Sequence, residues 1–549
     1  MQKRSFLKKI LYILSSLVIL ILLTGWIFFA FFFQETLNSV AIPKIKEATH
    51  ESTDGKFTLS LDSIFYSSGT LLCNNFLLSR VAYDTSEHGL VIKQLTIDTV
   101  KFEGVSWWDL LWGNDLHFSS LRMTGPKLVL SNADSAASHP ETVYIQKTKS
   151  TAEASDAPVI SFDSIMISTM TVTLPKRTEK SVERVYRNID VKLTDFLIDT
   201  KNLKPEFLFS KRVNFYVPSV SYSLADSLYS VEVRGIRGQL SDSLVTVDSF
   251  TYMPNYDEQA FADKHKYIQG RLEFKCAGIA LRGINITKLM EGKGLYMKVC
   301  EAKSWGADYY GDRRKPHNPH PPDAVLPHTI LSGITTPVLV DTIKLGNGFI
   351  RHRERAPGSV KPSLITFTNA NVVARPFCSD TTHPLFSEPM HFSVNALFMG
   401  KGKLVGEVSY PIHQKAFDLH ISATVGGFDL PVLNSYLVTN ERKEVTDGRL
   451  LNSELRMDVK SGVGTTMVRP RYKDLNIKIL ADGVKEGRGI IEGLKTFIAN
   501  NFILETENID SEDEKALSVT TKRVAGKKEE FFEYIWLALR KSILEAIGY

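Results

Sequence analysis

The sequence predicts a mainly β protein: an elongated, twisted antiparallel β-groove, or a series of stacked β lobes, with few short helices. An N-terminal transmembrane helix and a C-terminal amphipathic helix flank it. Three observations carry this expectation. Residues 10–33 form an uncharged apolar run, period-two alternation recurs through nearly all the rest, and helical patterns are scarce. At 549 residues, 43% apolar and 23% charged, the chain is neither a polytopic membrane protein nor largely disordered. The 66 basic residues are nearly balanced by 61 acidic ones, which gives no argument for nucleic acid as a partner.

Residues 1–9 are a basic tail with Lys3, Arg4, Lys8 and Lys9 and no acidic residue. The anchor follows, from Ile10 through Leu20 to Phe33. At 1.5 Å per residue it reaches roughly 36 Å, enough for a ~30 Å hydrocarbon layer. The positive-inside rule places the tail in the cytoplasm and the main body outside. Ser39-Val40-Ala41 resembles a leader cleavage site, but a leader's apolar region is about 7–15 residues and this one is longer. A retained, single-pass anchor is the expectation.

Residues 34–310 read as an N-terminal β region. Within it, units at 91–130 and 270–305 repeat at an offset of 179: Gly104–Leu116 aligns without gaps with Gly283–Leu295. Each unit reads strand, glycine turn with a Ser or Asn cap, short helix, glycine stop, strand. Cys276 and Cys300 fall on the positions of Ile97 and Leu121, as expected of buried free thiols; a bridge across neighbouring strands is the alternative. The Pro-rich stretch 311–328 reads as a connector before a C-terminal β region at 329–525. Residues 526–549 close the chain with the amphipathic helix. Shorter helices are expected at Trp107–Trp112, Ile286–Met290, Pro431–Leu437 and Ile490–Ala499.

Alternation leaves one face of each strand dry. The candidate groove lining is Leu59, Leu61, Phe392, Val394, Phe398, Phe417, Leu419, Ile421, Leu455, Met457, Ile477 and Ile479. So few helices cannot roof so many half-apolar strands. Their dry faces must meet each other or shelter something else. Arg351, Arg353 and Arg355 share one side of a strand, as a solvated face or as contacts for anionic lipid headgroups. With strands of 5–6 residues, about half of the external chain would make roughly 45 of them.

No P-loop, HExxH, GxSxG or EF-hand pattern occurs, and the four cysteines include no CxxC pair. Gly400-Lys401-Gly402 reads as a strand turn. His317, His320 and His328 read as part of a polar connector. No cofactor, no metal and no enzymatic activity are expected.

The basic start and single span, together with the G-[VI]-[SN]-x-x-x-L-[LM]-x-G-x-x-L unit at Gly104–Leu116 and Gly283–Leu295, resemble the AsmA-like family of bacterial envelope proteins. Gly427-Phe428-Asp429-Leu430-Pro431-Val432-Leu433, with Asp447-Gly448-Arg449-Leu450, is similar to that family's C-terminal segment, and Phe531–Ile547 to its usual end. These motifs are structural punctuation with no catalytic signature. The resemblance implies a β-groove projecting from the inner membrane into the periplasm, of the bridge-like lipid-transfer class. Its expected partners are membrane phospholipid and, at the C-terminal helix, an envelope protein. The alternative function is a non-enzymatic scaffold or outer-membrane assembly factor acting through protein partners.

Overall fold

The structure is a computed structural model. It describes residues 20, 23–24, 33–53, 55–83, 90–104, 116–132, 143–144, 160–175, 184–198, 210–224, 228–290, 292–324, 326–327, 329, 334, 336–413, 416–480, 506–510, 516–526 and 528–547. The protein is mainly β, with one large mixed sheet of 22 strands and few short helices. It divides into two compact units: Met1–Val220 with Arg237–Ser241, and Ser221–Ile236 with Asp242–Tyr549.

In the first unit, helix α1 (Phe33–Ser52) leads into β1 (Phe57–Ser60), β2 (Ser63–Ser67), β3 (Thr70–Arg80) and β4 (Ala82–Tyr83). Next come β5 (Leu90–Glu103), β6 (Leu116–Thr124), β7 (Lys127–Asn132), β8 (Val143–Tyr144), β9 (Ile160–Leu174), β10 (Arg184–Ile198) and the greater part of β11 (Ser210–Ser223). The core lies on one sheet face, where Ile64, Cys73, Ile97, Val100, Phe118, Leu121, Phe162 and Ile165 pack together with Ile42 of α1.

The second unit holds most of β12 (Tyr229–Gln239), then β13 (Leu244–Pro254), α2 (Glu258–Asp263), β14 (Arg271–Arg282), α3 (Ile286–Met290), β15 (Leu295–Asp312) and β16 (Val338–Arg355). It continues through β17 (Ser363–Arg375), β18 (Phe377–Cys378), β19 (Met390–Phe398), β20 (Gly402–Tyr410) and β21 (Leu419–Asp429). It ends with α4 (Asn434–Asn440), β22 (Lys443–Lys460), β23 (Val463–Ile479), β24 (Val519–Val524) and α5 (Phe531–Ala546).

Two expectations about the sheet change. It is mixed, with β6 and β9 parallel and β15 and β16 parallel. Alternation has the same period in both kinds of ladder, so the residues alone could not separate them. Parallel neighbours need a long crossover. The Pro-rich stretch is part of one, because the strands on either side of it lie next to each other within the second unit. Among the described residues the strands are also fewer and longer than expected, with β15, β16 and β22 each running 18 residues.

The 179-residue offset reappears in the pairing. Phe102 faces Leu121, and Leu281 faces Cys300. Leu121 then faces Ile165 across a parallel ladder, as Cys300 faces Ile343. Gly104 and Gly283 both turn the chain at positive φ, +75° and +67°, where a side chain would be strained. After Gly283, the Asn285 side chain accepts the Lys288 N–H at 3.0 Å and starts α3. The matching segment 105–115 lies outside the described residues, as do Trp107, Trp108 and Trp112, and the helix expected at 490–499.

Candidate functional site

The site is best seen by following single rows of residues across the second unit's sheet. Val245, Leu281, Cys300, Ile343, Ala374, Phe392, Val408, Ile421 and Met457 oppose one another strand by strand. Every one of them is packed into a hydrophobic cluster. Two residues along each strand, on the same face, runs a second row: Val247, Ile279, Ala302, Leu345, Val372, Val394, Gly406, Ala423, Leu455, Val468 and Val519. It is apolar through eleven strands, a contour of about 48 Å at ~4.8 Å spacing. None of its members joins a packed cluster. Ala302 and Val468 are buried and the rest half-buried.

The opposite face is wet. There Lys344, Val373, Ser393, Glu407, Ser422, Arg456, Met467 and Thr520 oppose one another in the same way. The strip is therefore one-sided by sequence design.

Packed material borders the strip on both sides. On one side, α5 covers Phe417, Leu419, Met457 and Val459 with Tyr534 and Ala538. On the other, Val432, Leu433 and Leu437 cover Phe428, Leu450 and Tyr472. Helix α4 touches both β17 and β22, which are not neighbours in the sheet, so this face curves around it. Asn440 reaches Glu354 at 3.1 Å and Ser363 at 3.0 Å, and Asn434 exchanges two 2.8 Å bonds with the Val445 backbone. α4 is thus held by polar pins at Asn434 and Asn440 together with Leu437 at the Phe428 cluster and the Tyr436 ring against Trp536.

The expected lining residues fall into distinct places. Val394 and Leu455 are in the strip. Phe417, Leu419 and Met457 are buried beside α5, with Phe392 and Ile421 at the edge of that cluster. Phe398 and Ile477 border the cluster at Phe428, and Ile479 is exposed at the end of its strand. Leu59 and Leu61 are buried in the first unit. Sequence reasoning missed Val247, Ile279, Leu345 and Val372, although Thr246 between two valines and Lys344 between Ile343 and Leu345 carried the signal.

The arginine row is largely neutralised. Arg351 binds Asp308, with its Nε at 2.8 Å, and Arg353 binds Asp308 and Glu258. Asp308 is only 4% exposed, so these are partly desolvated pairs whose partners depend on one another. Arg355 has its Nε buried without a hydrogen-bond partner among the described residues.

In the first unit, a cavity of about 450 Å³ opens beside Ile167, Val191, Phe215, Lys192 and Arg237. Arg237 stacks on Tyr216 at 5.1 Å. The four cysteines are free; Cys276 faces Trp305 while Cys300 faces Leu281, five residues farther along β14. Gly400 and Met399 form the positive-φ turn between β19 and β20. His317 and His320 are exposed, and His328 lies outside the described residues.

Of the anchor, Ile10 lies outside the described residues, Leu20 and Leu23 are helical and exposed, and Phe33 begins α1. No helix among the described residues is long and apolar enough to cross a membrane. No family model matches the chain, and no curated protein matches it.

Proposed function

We propose that this is a membrane-anchored envelope protein of the AsmA-like kind that shelters phospholipid acyl chains along the strip and contributes to lipid movement between membranes. Residues 10–33 are the anchor, in the inner membrane, with the tail cytoplasmic and the body periplasmic. The observation that carries the reading is the row from Val247 to Val519, apolar on every strand, outside every packed cluster and backed by a wet face. An acyl chain of about sixteen carbons leaving a bilayer exposes surface worth on the order of 12 kcal/mol. A dry track offsets that cost without any chemistry.

The test uses the full chain, purified in detergent, with bound phospholipid quantified by mass spectrometry. Val372→Asp and Val394→Asp place a carboxylate in the strip, while Val373→Asp places it on the wet face. The first two are expected to lose most bound lipid and the third to keep it. A lipid-free wild-type protein would end the reading.

A scaffold role through protein partners is the second reading. It is favoured by the outer face of α5, where Phe532 is 80% exposed and Ile543 is 40% exposed. Co-purification of a protein without phospholipid would support it.

A further inference from the structure

We infer that the C-terminal half of α5 is a movable stop at the β23–β24 end of the strip, pivoting on an aromatic anchor in its first turn. The inference rests on the lipid reading above. The two halves of α5 hold the sheet by different physics. In the first half, Tyr534 meets Phe417 edge-on at 5.2 Å, and Phe531 meets Tyr410 and Phe417 at 5.8 and 5.9 Å. Such aromatic contacts are expensive to separate in water.

From Ala538 onward the fully buried positions are small, with Ala538, Ser542 and Ala546 1%, 0% and 0% exposed, and Leu539 is the last large side chain packed at the Phe417 cluster. The row beside the strip ends there in hydroxyls. Ser542 Oγ lies 2.8 Å from Thr521 Oγ1, with the Ala538 carbonyl of its own helix at 3.2 Å and the Thr466 carbonyl of the sheet at 3.4 Å. Farther out, Arg540 pairs with Glu441 through both carboxylate oxygens at 2.9 and 2.7 Å. Arg540 is 41% exposed, so water already competes for that pair.

Lifting the helix beyond Leu539 uncovers mainly small side chains and hydroxyls, and water can replace each hydrogen bond it breaks. Ile547 is the one member of this half packed at the Phe428–Tyr472 cluster. Val468 and Val519, the last members of the strip, lie two residues from Thr466 and Thr521, so the stop sits where a lipid tail would leave the track.

Thr521→Cys with Ser542→Cys makes a lock in the full chain, read by transfer of a fluorescent phosphatidylethanolamine between vesicles of phosphatidylethanolamine and phosphatidylglycerol. The oxidised lock is expected to keep its lipid and slow transfer about tenfold or more, with recovery on reduction. The single-cysteine variants control for the four native free thiols. Ser542→Ala, which deletes the buried hydroxyl, is expected to speed transfer about threefold to tenfold.

Wild-type transfer by the oxidised, lipid-bearing lock would overturn the stop. Hydrogen exchange on the unmodified protein gives an independent reading. Amides at 542–546 are expected to exchange about tenfold faster than those at 534–537, which carry the first intrahelical bonds, and uniform protection from 534 to 546 would equally overturn it. Absence of bound lipid in the wild type sinks the lipid reading instead, and the exchange pattern then decides alone whether this half-helix moves.

Discussion

Asp380 is a buried carboxylate with three donors: the Tyr296 hydroxyl, the Thr382 N–H at 2.9 Å and the Thr382 hydroxyl at 2.7 Å. Tyr296 first, then Thr382, holds its pKa down to about 2. The same bond to Asp380, with desolvation next, pushes the Tyr296 phenol up to about 12. A depressed carboxyl adds stability above its unfolded value near 4, and loses it as pH falls towards 2. A raised phenol adds stability below its unfolded value near 10, and loses it as pH rises through about 12. Asp380→Asn is expected to cost about 2 kcal/mol at pH 7, read as a lower Tm. The gap from wild type should close as pH falls to 2, and a constant gap would mean the charge is not what holds this loop. None of this was legible in the sequence, since Tyr296 and Asp380 are 84 residues apart and meet only through β15 and the loop after β18. Cys276 is buried, as its alignment with Ile97 implies, while Cys300, aligned with the buried Leu121, is only half-buried.

At the scale of single elements, α1 was the least visible. Gln34-Glu35-Thr36-Leu37-Asn38-Ser39 offers no continuous apolar stripe, and Pro43 lies inside the helix. Its reason for being there is on the strand it meets. The Ile64 N–H donates to Asn38 at 2.6 Å, the Tyr66 N–H donates to Gln34 at 3.1 Å, and Gln34 donates to the Ile64 carbonyl. Residues four apart on a helix thus match residues two apart on a strand, and two side-chain amides take the place of a neighbouring strand along β2. Gln34→Ala with Asn38→Ala is expected to raise hydrogen exchange at Ile64 and Tyr66 at least about tenfold, while Ile97 stays protected. Exchange unchanged at Ile64 would mean that Leu37 and Ile42, packed in the core, suffice to shield the edge. By contrast, α3 falls on the expected Ile286–Met290, because glycine and asparagine punctuation fixes both its ends locally. The strand character of these segments was legible from alternation, but their length and partners were not, since a crossover leaves no mark on period-two patterning.

For the whole molecule, the question is why two units with one strand plan differ in what they leave bare. In the first unit, Cys73, Val100, Met123, Ile167 and Val191 oppose one another as Val247, Ile279, Ala302, Leu345 and Val372 do in the second. The first four members of the earlier row are packed in the core, and none of the later row is. Val100 and Ile279 are therefore equivalent in register, but Val100 is buried in the core and Ile279 is half-buried and joins no cluster. Val100→Asp puts an unpaired carboxylate into packed apolar surroundings and is expected to cost about 3–5 kcal/mol. Ile279→Asp leaves its charge on the half-buried strip, where water reaches it, and is expected to cost about 1 kcal/mol. Its main effect should be on bound phospholipid, which falls while the fold persists. Urea titration of both full-length variants, with lipid content measured on the same samples, separates the cases. Equal destabilisation by the two substitutions would show that the strip is closed core, and a closed core has no room for a lipid tail.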